Sequence, residues 1–488
     1  MALTSRETFL GAPHPIPLAT VLTLPDCSTF ELYRRLVGDD RYPMLLESGR
    51  GSEAGQRYSF IAADPFLLLR CTGPRIECLE RNDDQTIRAG NPLEALRDLL
   101  RRMAVPRPPE FPPFYGGAAG YLGYDLARWF ERLPRRATDD LDLPDVELAF
   151  YDLIAVADHR ERLLWLIFTP FGERFFKEPR KILYAEGLAR LSALEARLTD
   201  TLQPSKTLHA SLTPAIMTPG LTQADYMDRV RRCLDYIAAG DIYQANLSHR
   251  FTIDLGGRSP RSIYQRLREI NPSPFAALLE FPDVTLVSCS PERLVRLSGR
   301  DVETRPIAGT HPRGATPDED RRLIEDLLMN RKERAEHLML VDLERNDLGR
   351  VCAYGSVRVD EFMVVERYSH VSHIVSNIHG KLAPGRDALD LVQAVFPGGT
   401  VTGVPKVRCM EIIEELEPVR RGPYTGSIGY FSASGDLDLN ITIRTLVIVG
   451  EKGYLQVGAG IVADSDPARE YQETLFKAEA LLKALRES

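Results

Sequence analysis

No stretch of this 488-residue chain approaches the ~20 consecutive apolar residues that a membrane-spanning helix needs. The first residues lack the basic-then-apolar order of an export signal. Basic residues are outnumbered: 61 Lys and Arg face 69 Asp and Glu, for a formal net charge of −8. Nucleic acid and anionic membranes both demand a basic face, so neither is the expected partner. Local arginines can still serve an anionic substrate. Cysteine is sparse: seven, at positions 27, 71, 78, 233, 289, 352 and 409, with no Cys-x-x-Cys pair. That spacing speaks against zinc and for reduced thiols, so a cytoplasmic location is expected. Internal repeats and low-complexity tracts are absent.

What is present is ordinary for a globular protein, 44 % hydrophobic and 27 % charged, and long enough for two domains or one large composite. Residues 15–198 carry short strand-like runs, among them Ser59–Ala63, Phe66–Leu69 and Leu163–Phe168, with helical segments at Pro92–Arg102 and Arg180–Arg197. Thr199–Pro219 lacks periodicity and is rich in Thr, Ser and Pro, the expected linker. A second unit is expected over 220–486. It opens with a helix at Thr222–Ala239, where Tyr226, Val230, Leu234 and Ile237 recur at helical spacing before Gly240. Helices at Asp318–Arg331 and Lys406–Leu416 alternate there with strands at Leu439–Val449 and Leu455–Val457.

The chemistry concentrates in that second unit. Glu470 and Glu473 are three apart, so on a helix they share a face and can address one hard cation. Glutamates so spaced are also the commonplace of solvated helix faces. Glu336 is a further carboxylate far upstream, and Gly458-Ala459-Gly460 reads as a turn with free N–H groups for an anion. Magnesium takes one or two protein carboxylates together with water and substrate oxygens.

An ordered series of segments gives these residues company: Asp241–Ser248, Ser290-Pro291-Glu292, Arg305–Thr310, Asp342–Leu348, Val401–Lys406, Ile443-Arg444-Thr445 and Gly458–Val462. In this order they resemble the chorismate-utilising family, the large subunits of anthranilate synthase and aminodeoxychorismate synthase, with isochorismate and salicylate synthases as cousins. The likeness is tight over about residues 222–482 and looser before them. It implies an α+β fold, two large, mostly antiparallel sheets packed as a sandwich with helices outside and the substrate cleft between them.

The resemblance also assigns roles. Glu336 and Glu473, with Glu470 nearby, would hold Mg2+ against the ring carboxylate, making loss of the ring hydroxyl easier by Lewis-acid withdrawal. Backbone N–H groups of Gly458, Ala459 and Gly460 suit a carboxylate, and Arg444 with Tyr424 would grip the enolpyruvyl carboxylate. His373 falls near the departing hydroxyl and would donate a proton or hydrogen bond to it; His370 stands three residues earlier. Glu292 takes the place of an acid/base carboxylate. Thr310 and Thr400 would hydrogen-bond substrate or backbone. Lys477, one turn beyond Glu473, either neutralises the metal carboxylates or forms a surface ion pair. Asp342–Leu348 reads as a structural turn beneath the site.

Within the family, Ala308 stands where many aminodeoxychorismate synthases carry a nucleophilic lysine; alanine there is the usual anthranilate synthase state. Tyr243–Leu247, Asn271–Ala277, Pro397–Thr400 and Gly426–Tyr430 resemble the aminodeoxychorismate branch instead, and these scattered positions outweigh the single one. Leu46, Glu47 and Ser48, with Pro274 and Phe275, match the walls of a tryptophan pocket. Gln244 replaces the lysine base of the isochorismate and salicylate cousins and cannot deprotonate water. No Gly-x-Cys-x-Gly nucleophile elbow is present, so ammonia is expected from a separate glutamine amidotransferase subunit. The expected activity is magnesium-dependent amination of chorismate to 4-amino-4-deoxychorismate. Anthranilate formation is the alternative, and a non-catalytic tryptophan or chorismate sensor is the reading from another class.

Overall fold

The computed structural model describes residues 4–48, 57–199, 215–314, 316–367 and 371–488. Among them, two antiparallel sheets of twelve strands each form the frame. The first runs Leu18–Thr23, Leu163–Phe168, Leu153–Asp158, Tyr58–Ala62, Met44–Glu47, Phe275–Glu280, Thr285–Ser290, Thr445–Val449, Lys452–Ile461, Gln244–Asp254 and Ile216–Pro219 in spatial order. The short strand Gly403–Val404 also pairs with Gln244 and Ala245. The second runs Ile307–Pro312, Val371–Lys381, Asp301–Thr304, Arg293–Ser298, Leu437–Asn440, Ser427–Ser432, Gly117–Leu122, Val146–Tyr151, Leu67–Thr72, Arg75–Glu80 and Gln85–Ala89, with Arg358–Arg367 beside Val371–Lys381. This is the α+β sandwich that the resemblance implied.

Strand alternation explains the layering. Phe60, Ala62, Ala277 and Leu279 join a core with Leu68, Phe150 and Val295 of the second sheet. Their neighbours Ile61 and Leu278 point the opposite way, into a core shared with helix residues Phe30, Tyr264 and Leu481. A fully buried side chain such as Phe150 or Leu278 contributes ~1.5–3 kcal/mol.

Local chemistry sets several helices where the sequence places them. Pro92–Arg102 begins behind an Asn91 cap with Pro92 in its first turn. Gln223–Ala238 is closed at its start by a reciprocal capping box between Thr222 and Asp225. Pro467–Glu487 starts at the Asp466 cap and carries Glu470, Glu473 and Lys477. No helix among the described residues is long and apolar enough to cross a membrane.

Other expectations change. Residues 200–214 of the expected linker, and His370, lie outside the described residues, while Ile216–Pro219 pairs as a strand with Phe251–Asp254. Strands from 15–198 and from 220–486 interleave: Met44–Leu46 and Glu47 pair with Phe275–Glu280, and Gly117–Leu122 with Ser427–Ser432. Asp342–Leu348 is not a turn but part of the helix Arg331–Gly349. Gly458-Ala459-Gly460 is likewise no turn: it continues the strand Lys452–Ile461, paired with Asn246–Ser248. Leu439–Val449 is two strands, Leu437–Asn440 in the second sheet and Thr445–Val449 in the first.

Candidate active site

That last break builds the site. Thr285–Ser290 belongs to the first sheet and Arg293–Ser298 to the second, so the chain crosses between sheets at Pro291 and Glu292. It crosses again, in the reverse sense, at Ile441–Arg444. The two crossovers are neighbours, because their flanking strands pair in both sheets. The Ile441 N–H donates to the Glu292 carbonyl at 3.0 Å, Ser290 Oγ to the Ile441 carbonyl at 2.5 Å, and the Cys289 N–H to the Arg444 carbonyl at 3.2 Å. Arg444 turns the chain with φ +50, a left-handed conformation that costs a non-glycine residue on the order of 1 kcal/mol or more.

Glu292 is buried, 6 % exposed, and its Oε1 has no hydrogen-bond partner among the described residues. Burial pushes its pKa up to about 7, against the opposing influence of Thr400, the Ile307 backbone, Arg444 and Lys477. A carboxyl that titrates near neutrality is suited to proton transfer. Thr400 sits in the short 3-10 turn Gly399–Val401, its buried Oγ1 near the Glu292 carboxyl without completing a hydrogen bond among the described residues. That turn reaches the site because Gly399 lets it close on Leu343: a Cβ there would stand 2.2 Å from Leu343 Cδ2.

His373 lies on Val371–Lys381, opposite Thr310 in the ladder, with Nδ1 3.3 Å from the Gly309 carbonyl. A carbonyl only accepts, so the ring proton belongs on Nδ1. Burial, then the Arg444 charge, holds the imidazole pKa down at about 4. At neutral pH the ring is therefore uncharged. Ala308 is buried on the neighbouring strand, opposite Ile374. The Thr310 side chain lies outside what the structure describes.

The glycine segment is linked to these residues through Lys477, which acts on Glu292 and bonds the Gly458 carbonyl. The strand Thr445–Val449 pairs with Lys452–Ile461 only as far as Leu455, so residues 456–461 run on beside Gln244–Asp254 alone. A Cβ on Gly458 would meet Asn246 Oδ1 at 2.6 Å and Tyr424 Oη at 2.9 Å; one on Gly460 would meet Gln244 Nε2 at 2.6 Å and Glu336 Oε1 at 3.6 Å. These glycines therefore leave open a cradle lined by polar atoms. Gln244 Nε2 donates to Glu336 Oε1 at 3.0 Å, and Gln244 Oε1 and Asn246 Oδ1 are buried without hydrogen-bond partners among the described residues. Ala459 faces away, into a core with Tyr226 and Cys409.

Lys477 Nζ donates to the Gly458 carbonyl at 3.0 Å and pairs with Glu473 at 2.7 Å. Glu470 is buried and Glu473 half-exposed, and both raise the pKa of buried Tyr226, after burial itself and Tyr424. Among the described residues no three His, Cys, Asp or Glu side chains are gathered as a ready metal cluster. The donor set still fits magnesium, which asks the protein for only one or two hard carboxylate ligands. Glu336 at the cradle and Glu473 beside Lys477 can supply them.

Sequence reasoning missed what holds Tyr424 in place. Arg421 and Glu417 form a fully buried ion pair at 2.6 Å. Arg421 also donates to the carbonyls of Asn246 (2.7 Å) and Val401 (2.9 Å) and lies over the Tyr424 ring. Ser248 donates twice to Glu417 Oε1, each at 2.8 Å. Alternate polar residues Gln244, Asn246 and Ser248 on one strand were the signal that could have revealed this wall.

A separate cavity of about 700 Å³ opens between the sheets, and Leu46, Glu47, Ser48, Pro274 and Phe275 all line it, with Tyr58, Phe60 and Tyr430. The Glu47 carboxylate is already engaged by Arg268 at 2.5 Å and by the Tyr264 hydroxyl at 2.7 Å.

The chorismate binding enzyme model matches residues 44–483. Aminodeoxychorismate synthase component 1 of Bacillus subtilis (strain 168) is 45 % identical over 458 residues, 94 % of each chain. Anthranilate synthase component 1 of Acetivibrio thermocellus is 41 % identical over 449 residues, 91 % of this chain and 90 % of that one. The crystal structure of anthranilate synthase component I from Streptococcus pneumoniae TIGR4 superposes with TM-score 0.77 at 32 % identity, covering 94 % of this chain and 99 % of the other. A sandwich with paired crossovers, a polar glycine cradle and these relatives lead to one family: the chain belongs to the chorismate binding enzymes.

Proposed function

We propose that this protein is the chorismate-aminating component of an aminodeoxychorismate synthase, converting chorismate and ammonia to 4-amino-4-deoxychorismate and water. The observation that carries this reading is that buried Glu292 feels the charges of both Arg444 and Lys477, and that Lys477 is bonded to the Gly458 carbonyl of the glycine cradle. A site so equipped suits a small ring bearing two carboxylates and a hydroxyl. The aminodeoxychorismate relative, 45 % identical end to end, supports the branch.

In this reading Arg444 and Tyr424 receive the enolpyruvyl carboxylate, where a guanidinium fork gives two parallel bonds. The cradle receives the ring carboxylate. Glu336 and Glu473, with Glu470 behind them, would hold Mg2+, whose chemistry there is Lewis-acid withdrawal of electron density from the ring. Glu292 delivers the proton that lets the ring hydroxyl depart as water. Neutral His373 orients that hydroxyl. Ala308 offers no nucleophile, so ammonia itself forms the new C–N bond. Gln244 anchors Glu336 and cannot activate water, which disfavours hydroxylation.

Ammonia comes from a glutaminase subunit, in keeping with the name component 1 of both relatives and the missing nucleophile elbow. All seven cysteines are free thiols, which fits a reducing, cytoplasmic setting. The cavity at Glu47 and Phe275 is the candidate tryptophan pocket. Anthranilate formation is the second reading, favoured by alanine at 308 and by the Acetivibrio relative.

The test is turnover of chorismate with ammonium and Mg2+, read by product mass and fluorescence. The expected product is non-fluorescent and retains the enolpyruvyl group. Fluorescent anthranilate with free pyruvate, formed without an added lyase, would transfer the chain to the second reading.

A further inference from the structure

The helix Arg331–Gly349 brings a second buried carboxyl, Glu344, towards Glu292, and no step above uses it. The connection is short. Thr304 Oγ1 lies 2.5 Å from Glu344 Oε2 and 2.9 Å from the carbonyl of Leu294, two residues beyond Glu292. Leu294 falls at the irregular step of its ladder, between Arg293 and Val295, and its carbonyl accepts from this hydroxyl. A hydroxyl carries one proton. With that proton committed to the Leu294 carbonyl, the bond to Glu344 needs a proton from the carboxyl itself.

The surrounding charges agree. Lys406 Nζ is held by Asp347 at 2.5 Å and by the Val395 carbonyl at 3.0 Å, and acts on Glu344 through its charge. Burial pushes the Glu344 pKa up to about 8, and Glu292 and Asp347 add to the rise; the Lys406 charge opposes it, as does the Thr304 hydroxyl when it turns to donate to the ionised form. Two carboxyls coupled in one dry region do not both ionise near neutrality.

We propose that Glu344 is a positioning residue held as a neutral acid, donating its proton to Thr304, and that turnover requires this proton as well as the one on Glu292. This rests on the assignment of Glu292 to proton transfer. Ionised, Glu344 would turn the Thr304 hydroxyl away from Leu294 and set a second negative charge beside Glu292 and a dianionic substrate.

The experiment pairs infrared spectroscopy with kinetics on the full-length chain and Glu344→Gln, whose amide N–H can replace the acid's bond to Thr304. Wild type should show protonated-carboxyl carbonyl absorption at neutral pH, of which Glu344→Gln removes one component and leaves that of Glu292. With free ammonia held constant, log(kcat/KM) for chorismate should fall towards a limiting alkaline slope of about −2 in wild type and about −1 in Glu344→Gln. Turnover at neutral pH should survive the substitution. An unchanged infrared band, an unchanged slope, or loss of turnover as severe as in Glu292→Gln would each overturn the proposal. If wild type forms no product from chorismate, the functional reading fails, and the infrared band still decides the state of Glu344.

Discussion

Glu292 and Arg444 stand in two antiparallel crossovers between the sheets, and the Arg444 charge is felt by the Glu292 carboxyl. Because the Ile441 N–H bonds the Glu292 carbonyl at 3.0 Å and the Cys289 N–H bonds the Arg444 carbonyl at 3.2 Å, neither residue can shift without its neighbour. An acid and a cation are thus fixed by backbone bonds, within reach of the Lys477 charge, and Lys477 in turn bonds the Gly458 carbonyl of the glycine cradle.

Replacing Glu292 by glutamine separates activity from stability. Loss of the proton donor should lower kcat by ~10²–10⁴-fold. The folded pKa of about 7 lies above the unfolded value, about 4.3, so the folded state holds the extra proton between them. The associated stability is full below the unfolded pKa and is lost as pH rises through about 7, by on the order of 3 kcal/mol. Glu292→Gln, neutral throughout, should be more stable than wild type at pH 8 in urea titration. Equal or lower stability there would show that the carboxyl is better solvated than its burial implies.

The buried Arg421–Glu417 pair should behave in the opposite way. Arg421→Met strands the Glu417 carboxylate, which is 4 % exposed, and should cost about 3–5 kcal/mol by chemical denaturation. Replacing both partners by apolar residues should recover much of that loss. A single-variant cost under about 1 kcal/mol would mean that water reaches the pair.

Glu473 is half-exposed and, among the described residues, pairs with Lys477, so Glu473→Ala should change stability by no more than about 0.5 kcal/mol. Magnesium-dependent turnover should nonetheless disappear. Near-normal turnover would remove Glu473 from the cation site.

Ala308→Lys introduces an amine into the wall that carries His373 and Thr310. Incubated with chorismate and Mg2+ but no ammonia, this variant should gain the mass of chorismate less one water, and wild type should not. With ammonia restored the product should remain 4-amino-4-deoxychorismate. Absence of the adduct would show that position 308 does not address the ring.

Where structure follows from local rules, it was legible. The helix Lys406–Leu416 and the strand Leu163–Phe168 occupy the residues their patterns mark out, and the Thr222 cap opens its helix. Leu439–Val449 misled because its apolar run is buried on both sides of the break, first in one sheet and then in the other. Gly458 and Gly460 misled because their glycines serve close approach by Asn246, Gln244 and Tyr424 rather than a bend. The Asp342–Leu348 segment is polar enough to read as a turn, yet Leu343 and Leu348 pack inward and Glu344 finds Thr304 from forty positions away in sequence. The two site walls were named residue by residue only through family resemblance; long-range pairing, which no local pattern encodes, brings them together.

The most direct measurement is a crystal structure with Mg2+ and a non-reacting chorismate analogue. The ring should lie between Glu292 and the Gly458–Gly460 strand, its side-chain carboxylate on Arg444 and Tyr424, its ring carboxylate on a cation shared by Glu336 and Glu473. An analogue bound elsewhere, or those two glutamates left on separate surfaces with no ion between them, would contradict the proposed site.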